Sequence, residues 1–357
     1  MTSMLIERIQ SDLAAPERPT LTLCDRVAGA AFGFWMIVGL FLDGWAHDNN
    51  KPESFFTPWH AVLYSGFAAA AVAALAIVRR HHRPGEAWSA HLPKGHGLTL
   101  AALGLFAIGA VGDLVWHEVF GVEVTLEALL SPTHLVLLAG GLVALSAPVR
   151  SAWGESGTAD PTLRQFLPTV SSIALLTALI GFFLLYLSPF VNDAGGTRFD
   201  RAPGMSHDHP SHSVAELQQV LGIASILLTT VLVVAPVYLV LARWRPPSGT
   251  FTVFFSVVIL LFVGLDEFAA PWLVVSGLAA GIVTDAVARR WPAWATGTAA
   301  IASLWTAYFA VYQLTEGGVA WSAPVWAGAT FLAALIAAGI GLVAQPPAIL
   351  RPHDRTP

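Results

Sequence analysis

Long apolar runs alternate with short polar stretches along most of this 357-residue chain. Ten of these runs have lengths near the roughly 20 residues that an α-helix needs to cross the hydrocarbon core of a bilayer. They cover residues 28–45, 59–78, 97–116, 132–148, 167–189, 214–241, 250–265, 270–288, 292–313 and 322–344. The pattern predicts an all-α, polytopic membrane protein with about ten transmembrane helices, of which 250–265 is the shortest.

Prolines mark the start of every second apolar run. They are Pro58, Pro132, Pro210, Pro271 and Pro324. A proline at the first helical position loses no hydrogen bond, and its fixed φ already suits a helix. Thr57 and Ser131 stand directly before two of these prolines, where their side chains can cap the helix. The chain therefore predicts five helical hairpins whose turns all lie on the same side of the membrane.

Charged residues indicate how these hairpins sit in the membrane. Only 11% of the residues are charged, against about 25% in soluble domains. If both termini are cytoplasmic, only Lys51, Arg198 and Arg201 of the 18 Lys and Arg residues fall in outer loops, in accord with the positive-inside rule. The sequence thus predicts a multi-pass protein of the cell membrane, of the bacterial plasma-membrane type. It has no basic stripe for nucleic acid.

The predicted spans divide the chain into four regions. Residues 1–27 are expected to form a cytoplasmic N-terminal tail, and residues 345–357 a cytoplasmic C-terminal tail. Residues 28–148 would form the first two hairpins, and residues 149–344 the remaining three. The single cysteine, Cys24, excludes an internal disulfide and a thiolate metal cluster. Metal chemistry would therefore depend on histidine and carboxylate side chains.

The first two hairpins each place one aspartate and two histidines at the outer ends of their helices. The first set is Asp43, His47 and His60, and the second set is Asp113, His117 and His134. Within each set the aspartate and the first histidine are four residues apart, so they share a face of one helix. The second histidine is the third residue of the next helix, beside the turn. Each hairpin can therefore bring three polar side chains into one space.

Ionisable side chains near a membrane core are costly, and so they usually mark a functional site. Imidazole and carboxylate groups on facing helices are typical ligands of metal sites in helical bundles, and they suit copper, zinc or iron. We therefore expect all six residues to bind metal and, in an enzyme, to be the catalytic residues. Supporting contacts are expected from Trp45, Asp48, Asn49, Trp116, Glu118 and Glu127.

A third histidine cluster lies in the third predicted outer turn. It consists of His207, His209 and His212. This spacing suits a loop that captures metal, and it equally suits an ordinary polar loop. A single outer histidine is, moreover, more often a solvated or capping residue than a ligand. The sequence leaves both interpretations of this cluster open.

The first set resembles a copper-binding motif. In the C subunit of copper membrane monooxygenases, the particulate methane and ammonia monooxygenases, Asp-x3-His is followed thirteen residues after the histidine by a second histidine within Phe-Thr-Pro-x-His. Asp43, His47 and His60 have this spacing, and residues 56–60 read Phe-Thr-Pro-Trp-His. The resemblance covers about residues 40–140, and it implies that these three residues bind copper.

The second set resembles a neighbouring copper-binding group of the same family. That group begins with Asn-x3-His and ends with a later histidine. This chain has Asp113 in place of the asparagine, and a longer gap separates His117 from His134. The family's C subunit is shorter and works with two partner subunits. The resemblance therefore implies copper as the cofactor, dioxygen as a substrate and additional subunits as partners.

These observations give one leading hypothesis and several alternatives. The leading hypothesis is a copper-dependent, monooxygenase-like oxidoreductase that activates dioxygen and oxidises a small apolar or lipid-soluble substrate. Its reducing equivalents would come from quinol or from an outer electron donor. The first alternative is a copper-handling membrane protein for transport, storage or delivery, without catalysis. A haem-binding membrane cytochrome and a zinc hydrolase are further alternatives.

Overall fold

The described structure is predominantly helical. The computed structural model describes residues 18–49, 51, 56–85, 91–121, 126–155, 160–192, 210–315 and 317–344. Of these residues 81% are helical, and none of them is in a β-strand. The all-α class predicted from the sequence is therefore confirmed.

Twelve α-helices follow one another in the described residues. They are α1 (Leu23–Asp48), α2 (Pro58–His81), α3 (His96–Phe120), α4 (Leu126–Leu130), α5 (Pro132–Leu145), α6 (Ala147–Gly154), α7 (Leu163–Phe182), α8 (Pro210–Arg243), α9 (Thr250–Leu265), α10 (Val274–Val287), α11 (Ala293–Thr315) and α12 (Ala323–Val343). Short 3-10 helices at Leu185–Leu187 and Pro271–Leu273 precede α8 and α10. The predicted apolar runs lie largely within these helices, and α1 begins inside the predicted N-terminal tail.

Seven helical segments are long and apolar enough to cross a membrane. They are Leu23–Asp48, Pro58–His81, His96–Phe120, Pro132–Gly154, Leu163–Phe182, Glu216–Arg243 and Ala323–Val343. Thr250–Leu265 and Pro271–Val287 are shorter apolar helices. These segments indicate a multi-pass membrane protein, as the apolar pattern predicts.

Glycines allow the helices of the first two hairpins to approach closely. A Cβ at Gly66 of α2 would lie 2.7 Å from the backbone nitrogen of Met36 in α1. A Cβ at Gly140 of α5 would lie 2.8 Å from the backbone nitrogen of Phe106 in α3. Both separations are too short for a real side chain, so a larger residue at either position would have to move the two helices apart. The predicted pairs α1–α2 and α3–α5 are the two most extensively packed helix pairs of the described structure.

Helix α7 lies at the centre of the bundle. In its most apolar window 72% of the residues are buried, against 22–39% in the other six candidate spans. It packs more extensively against α9 and α1 than against α8, which packs mainly on α12 and α11. The third predicted hairpin, α7 with α8, is therefore not a closely packed pair, because α7 packs mainly on α1 and α9, which are not its neighbours in the sequence.

Candidate metal centre

Helix caps fix the position of two predicted ligands. Thr57 precedes α2, and its Oγ1 accepts a hydrogen bond from the backbone N–H of His60 over 3.3 Å. Ser131 precedes α5, and its Oγ accepts from the backbone N–H of His134 over 3.3 Å. The prediction that Thr57 and Ser131 are N-caps is confirmed. Each cap holds a histidine in the first helical turn, beside the end of the preceding hairpin helix.

The second set forms a compact cluster. Oδ1 of Asp113 lies 3.1 Å from Nε2 of His134, and Oδ2 of Asp113 lies 3.4 Å from Nε2 of His117. The ligand atoms of all three residues lie within 4.8 Å of one another, and no other trio of His, Cys, Asp or Glu does so in the described part of the chain. Asp113 is only 2% exposed. A carboxylate so deeply buried needs a nearby positive charge or hydrogen-bond donors to compensate it.

Hydrogen bonds on the far side of each imidazole fix which ring nitrogen carries a proton. Nδ1 of His134 pairs with the carbonyl oxygen of Ala128, and Nδ1 of His117 lies 3.3 Å from the carbonyl oxygen of Gly121. A carbonyl oxygen only accepts, so both Nδ1 atoms donate. In neutral rings both Nε2 atoms then present lone pairs to the Asp113 carboxylate. Such contacts at 3.1 and 3.4 Å require a second proton on the ring or a cation between the groups.

The separations around Asp113 suit a metal ion of the first transition row. Carboxylate oxygen and imidazole nitrogen bind such ions at about 2.0–2.2 Å, which places neighbouring ligand atoms about 3–3.5 Å apart. The distances of 3.1 and 3.4 Å lie in that range. Backbone carbonyl partners on Nδ1 are also the usual support of histidine ligands. The three residues of the second set can therefore hold a metal.

Thr133 makes a contact to the second set that the sequence analysis missed. Its Oγ1 donates to Oδ1 of Asp113 over 3.0 Å. This bond orients the carboxylate and supplies part of the compensation that burial demands. The only sequence signal for it is a hydroxyl residue between the proline and the histidine, on the helix that faces Asp113. The first hairpin has Trp59 at that position.

The first set is more open. Oδ1 of Asp43 lies 3.1 Å from Nε2 of His60, and Oδ2 of Asp43 lies 3.9 Å from Nε2 of His47. These ligand atoms do not all lie within 4.8 Å of one another. The contact of Asp43 Oδ1 with His60 lacks hydrogen-bond geometry, and this buried oxygen has no other hydrogen-bond partner in the described structure. Asp43 thus brings the two histidines near each other, but the three groups do not converge as closely as the second set.

Tyr64 of α2 lies near both sets. Its ring centroid is 5.9 Å from that of His60. Its hydroxyl is within electrostatic reach of the carboxylates of Asp43 and Asp113. The two sets are therefore neighbours at the same end of the first two hairpins. The second hairpin has Leu138 at the corresponding position, four residues after its second histidine.

The residues predicted to support the first set have varied partners. Nε1 of Trp45 donates to Oε1 of Glu267 over 2.9 Å, and the ammonium of Lys51 lies 5.3 Å from the centre of the Trp45 ring. Asn49 caps α1, and its side-chain amide donates to the Trp45 carbonyl over 3.1 Å. Asp48 is exposed at the end of α1. The first set is thus linked through Trp45 to the turn that follows α9.

The residues predicted to support the second set lie close to it in the sequence, and their role stays a prediction. Trp116 packs on Phe120, with ring centroids 4.4 Å apart. The side chains of Glu118 and Glu127 are exposed. Described hydrogen bonds to the second set come from Thr133 and from the two backbone carbonyls that accept from its histidines.

The third predicted cluster is largely outside the described residues. His207 and His209 lie outside them, and His212 lies in the first turn of α8 without a described side chain. Metal capture by this cluster therefore stays a prediction.

The two sets belong to a longer internal repeat than the ligand motifs indicate. In each hairpin a glycine precedes the aspartate by four residues, Gly39 in α1 and Gly109 in α3. A Cβ at Gly39 would press on Leu63, and a Cβ at Gly109 would press on Leu137. Both leucines follow the second histidine of their set by three residues. The two hairpins therefore pack in the same register. The sequence signal for this register was a glycine four residues before the aspartate of each set.

Comparison of the chain with protein-family models, with curated proteins and with solved structures gave no match. The likeness to copper membrane monooxygenases consequently rests on the order and spacing of the ligands alone.

Proposed function

We propose that this protein is an integral membrane copper protein that activates dioxygen to oxidise a small apolar or lipid-soluble molecule. The second set would hold one metal ion, and the first set would hold another. One observation carries the proposal. Two imidazoles whose Nδ1 atoms already donate to carbonyls turn their Nε2 atoms to a buried carboxylate, and a cation satisfies all three groups together.

Copper is preferred to zinc or iron because of the likeness of the first set to a copper motif. The ligands themselves do not discriminate, since copper binds most tightly to almost any site of nitrogen and oxygen donors. Copper held by two imidazoles and one carboxylate would supply one-electron chemistry towards dioxygen, with coordination positions left for a further ligand.

The chain's own residues would position and shield such a centre. Thr133 orients the Asp113 carboxylate, and the carbonyl of Ala128 fixes the ring of His134. Trp116 and Phe120 pack on each other in the last turn of α3, which carries His117. The lipid bilayer would deliver the apolar substrate. An electron donor, such as quinol or an outer carrier, and additional subunits would complete the reaction.

We further propose the topology that the charge pattern predicts. All ten apolar segments would span the plasma membrane of a bacterium, with both termini cytoplasmic and the two sets open to the outer face. Arg79 and Arg80 lie at the opposite end of α2 from His60, which supports this orientation. In a Cys24→Ser background, Lys51→Cys should react with a membrane-impermeant maleimide on intact cells, and Arg83→Cys should not. Labelling of Arg83→Cys alone would reverse the orientation.

A copper-handling protein without catalysis is the second candidate function. The side chains of His47 and His134 are 26% and 21% exposed, so both sets can be reached from solvent. Storage or delivery needs such access. Rapid loss of copper to a soluble copper(I) chelator, with no oxygen consumption on any apolar substrate, would favour this role over oxidation.

A haem held between the two histidines of the second set is not compatible with the geometry. Asp113 lies 3.1 and 3.4 Å from the Nε2 atoms of His134 and His117. The carboxylate therefore occupies the space in which a haem would have to lie between the two imidazoles. A haem shared between His47 or His60 of the first set and His117 or His134 of the second stays an alternative, and a Soret band in the purified protein would favour it.

Metal content of the purified protein tests the proposal. Elemental mass spectrometry of the wild type should find one or two copper ions per chain, with one lost in His134→Ala and one lost in His60→Ala. His81→Ala is the matched control, because His81 bonds through Nδ1 to the Ile77 carbonyl of its own helix. Zinc in place of copper would redirect the proposal to hydrolysis. No bound metal, even after reconstitution with copper, would refute it.

A further inference from the structure

A cavity of about 70 Å³ lies between the first two hairpins. Its walls come from α1, α2, α3, α5 and α6, and they include many of the smallest residues of these helices. Gly29, Ala70, Ala73, Ala74 and Ala144 are among them. The cavity lies towards the ends of the hairpins that are opposite the two sets. One water needs about 10–15 Å³ on this measure, so the cavity has room for roughly five non-hydrogen atoms.

The polar residues at one end of this cavity are engaged with the protein. Asp25 pairs with Arg80, and Nε2 of His96 donates to the Ala74 carbonyl over 3.0 Å. Thr99 accepts from Arg150 over 2.8 Å, and Nη1 of Arg26 donates to Glu155 over 3.1 Å. Of the buried side-chain atoms in the lining, Nε of Arg26 is the one without a hydrogen-bond partner in the described structure.

The lining therefore selects for an apolar occupant. A polar molecule would have to leave water for walls of methyl groups and glycine backbone, with one free donor at most, and this transfer costs several kcal/mol. An apolar molecule dissolved in the bilayer loses nothing comparable. Cavities of this kind in other proteins stay dry and take up xenon or small hydrocarbons.

Two stacked phenylalanines lie, along their helices, between the residues that line the cavity and the metal sets. Phe67 of α2 and Phe106 of α3 have ring centroids 5.0 Å apart and planes inclined by 23°. Along α2, Phe67 lies between Tyr64, which is beside the sets, and Ala70, which lines the cavity. Along α3, Phe106 follows Leu103 of the cavity and precedes Asp113 by seven residues, or about 10 Å of helix.

We propose that this cavity binds a small apolar molecule that enters from the bilayer, and that the Phe67–Phe106 stack is the barrier between it and the metal sets. Occupancy of the cavity follows from its lining alone. The assignment of its occupant as the substrate, which must pass the barrier to be oxidised, rests on the proposed function.

Xenon is the probe for occupancy. Crystals of the wild type under xenon pressure should show an anomalous peak in the cavity. In Ala73→Leu, where the larger side chain fills part of the cavity, most or all of this anomalous peak should disappear. Ala68→Leu is the matched control on the same helix, because Ala68 is exposed and does not line the cavity. If Ala73→Leu does not fold, Gly29→Ala serves instead, since a Cβ there would meet nothing closer than 3.8 Å.

Phe106→Ala tests the barrier. Removal of one ring of the stack should extend the xenon density from the cavity towards Tyr64, whereas the wild type should show none there. Ordered water or a lipid acyl chain in the cavity, or an equal peak in Ala73→Leu, would overturn the proposal. An unchanged xenon position in Phe106→Ala would overturn the barrier. Xenon binding does not need metal, so its failure is distinct from a failure to find copper in the wild type.

Discussion

The first and second hairpins carry the same order of ligands, yet different parts of the protein hold them in place. A Cβ at Gly44, next to Asp43, would lie 2.6 Å from the Phe182 ring, so the ligand-bearing end of α1 is pressed against α7. Trp45 is bonded to Glu267, which follows α9. The first set is therefore organised by helices that are distant in the sequence.

The second set is organised within its own hairpin. Its contacts come from Thr133, Ala128 and Gly121, all within twenty residues of the ligands that they support. The face of α3 beside this set is uncovered, since Val111 and Val119 are 64% and 66% exposed. A repeated motif can thus keep its ligand order while one copy depends on local contacts and the other on the tertiary fold.

The backbone of the turn after α9 also distinguishes the surroundings of the first set from those of the second. Glu267 and Phe268 have φ of 51° and 58°, and they are the only non-glycine residues with positive φ in the described part of the chain. A left-handed residue costs about 1–2 kcal/mol, and it persists where surrounding contacts hold it. The hydrogen bond from Trp45 to Glu267 is one such contact. The turn after α9 is therefore held in an unfavourable conformation at the point where it contacts Trp45, two residues from Asp43 and from His47.

Valine at the close-packing glycines should give the largest difference between the hairpins. We expect Gly66→Val to lower the free energy of unfolding by about 3 kcal/mol, which is the upper end of the range for overpacking. The cost is high because α7 packs on α1 and prevents it from moving away from α2. Gly140→Val should cost about 1 kcal/mol, because the second hairpin can move towards lipid. Unfolding in detergent micelles measures both values.

The control for this pair is Gly104→Val in α3, where a Cβ would meet nothing within 4 Å. It reports the cost of valine without overpacking. A Gly140→Val variant that is destabilised as strongly as Gly66→Val would mean that the second hairpin is as firmly enclosed as the first.

A smaller and strictly local effect is expected for Thr133→Val. The substitution keeps the shape of the side chain and removes the donor to Asp113. Loss of a supporting hydrogen bond weakens metal affinity by roughly 10–100-fold, so the second set should lose affinity by this factor while the first set is unchanged. Copper titration of variants that keep one set intact measures each affinity. Thr330→Val, which removes a hydroxyl bonded to its own helix in α12, should change neither. An equal loss at both sets would show that they are not independently supported.

The sequence was sufficient for the features that depend on neighbours in the chain. Spacing of four residues placed each aspartate and histidine on one face, and the Thr57 and Ser131 caps followed from hydroxyl residues before proline. Apolar length was sufficient to locate the helices. These features depend on helix geometry, which local sequence determines.

Features that depend on helix partners could not be predicted in the same way. Lipid and protein are about equally apolar, so the hydrophobic pattern of a membrane helix does not reveal which helix it packs on. The packing of α7 on α9 and the bond from Trp45 to Glu267 are examples. The sequence also made the first set the closer match to a known motif, whereas the second set is the compact one. That outcome depends on one hydroxyl and two carbonyls that the ligand motif does not include.

Tyr64→Phe should give the smallest effect, and it tests whether the two sets are independent. Tyr64 is within electrostatic reach of both aspartates, and it has no counterpart in the second hairpin, where Leu138 takes its place. Its hydroxyl acts on the two carboxylates through space, so its removal should change copper affinity by less than the roughly 10-fold expected for loss of a direct supporting hydrogen bond. If Tyr64 joins the sets, both affinities should change, and the change at each set should depend on whether the other is loaded. A change confined to the first set would make Tyr64 a local neighbour of His60, and the two hairpins would then act separately despite their common register.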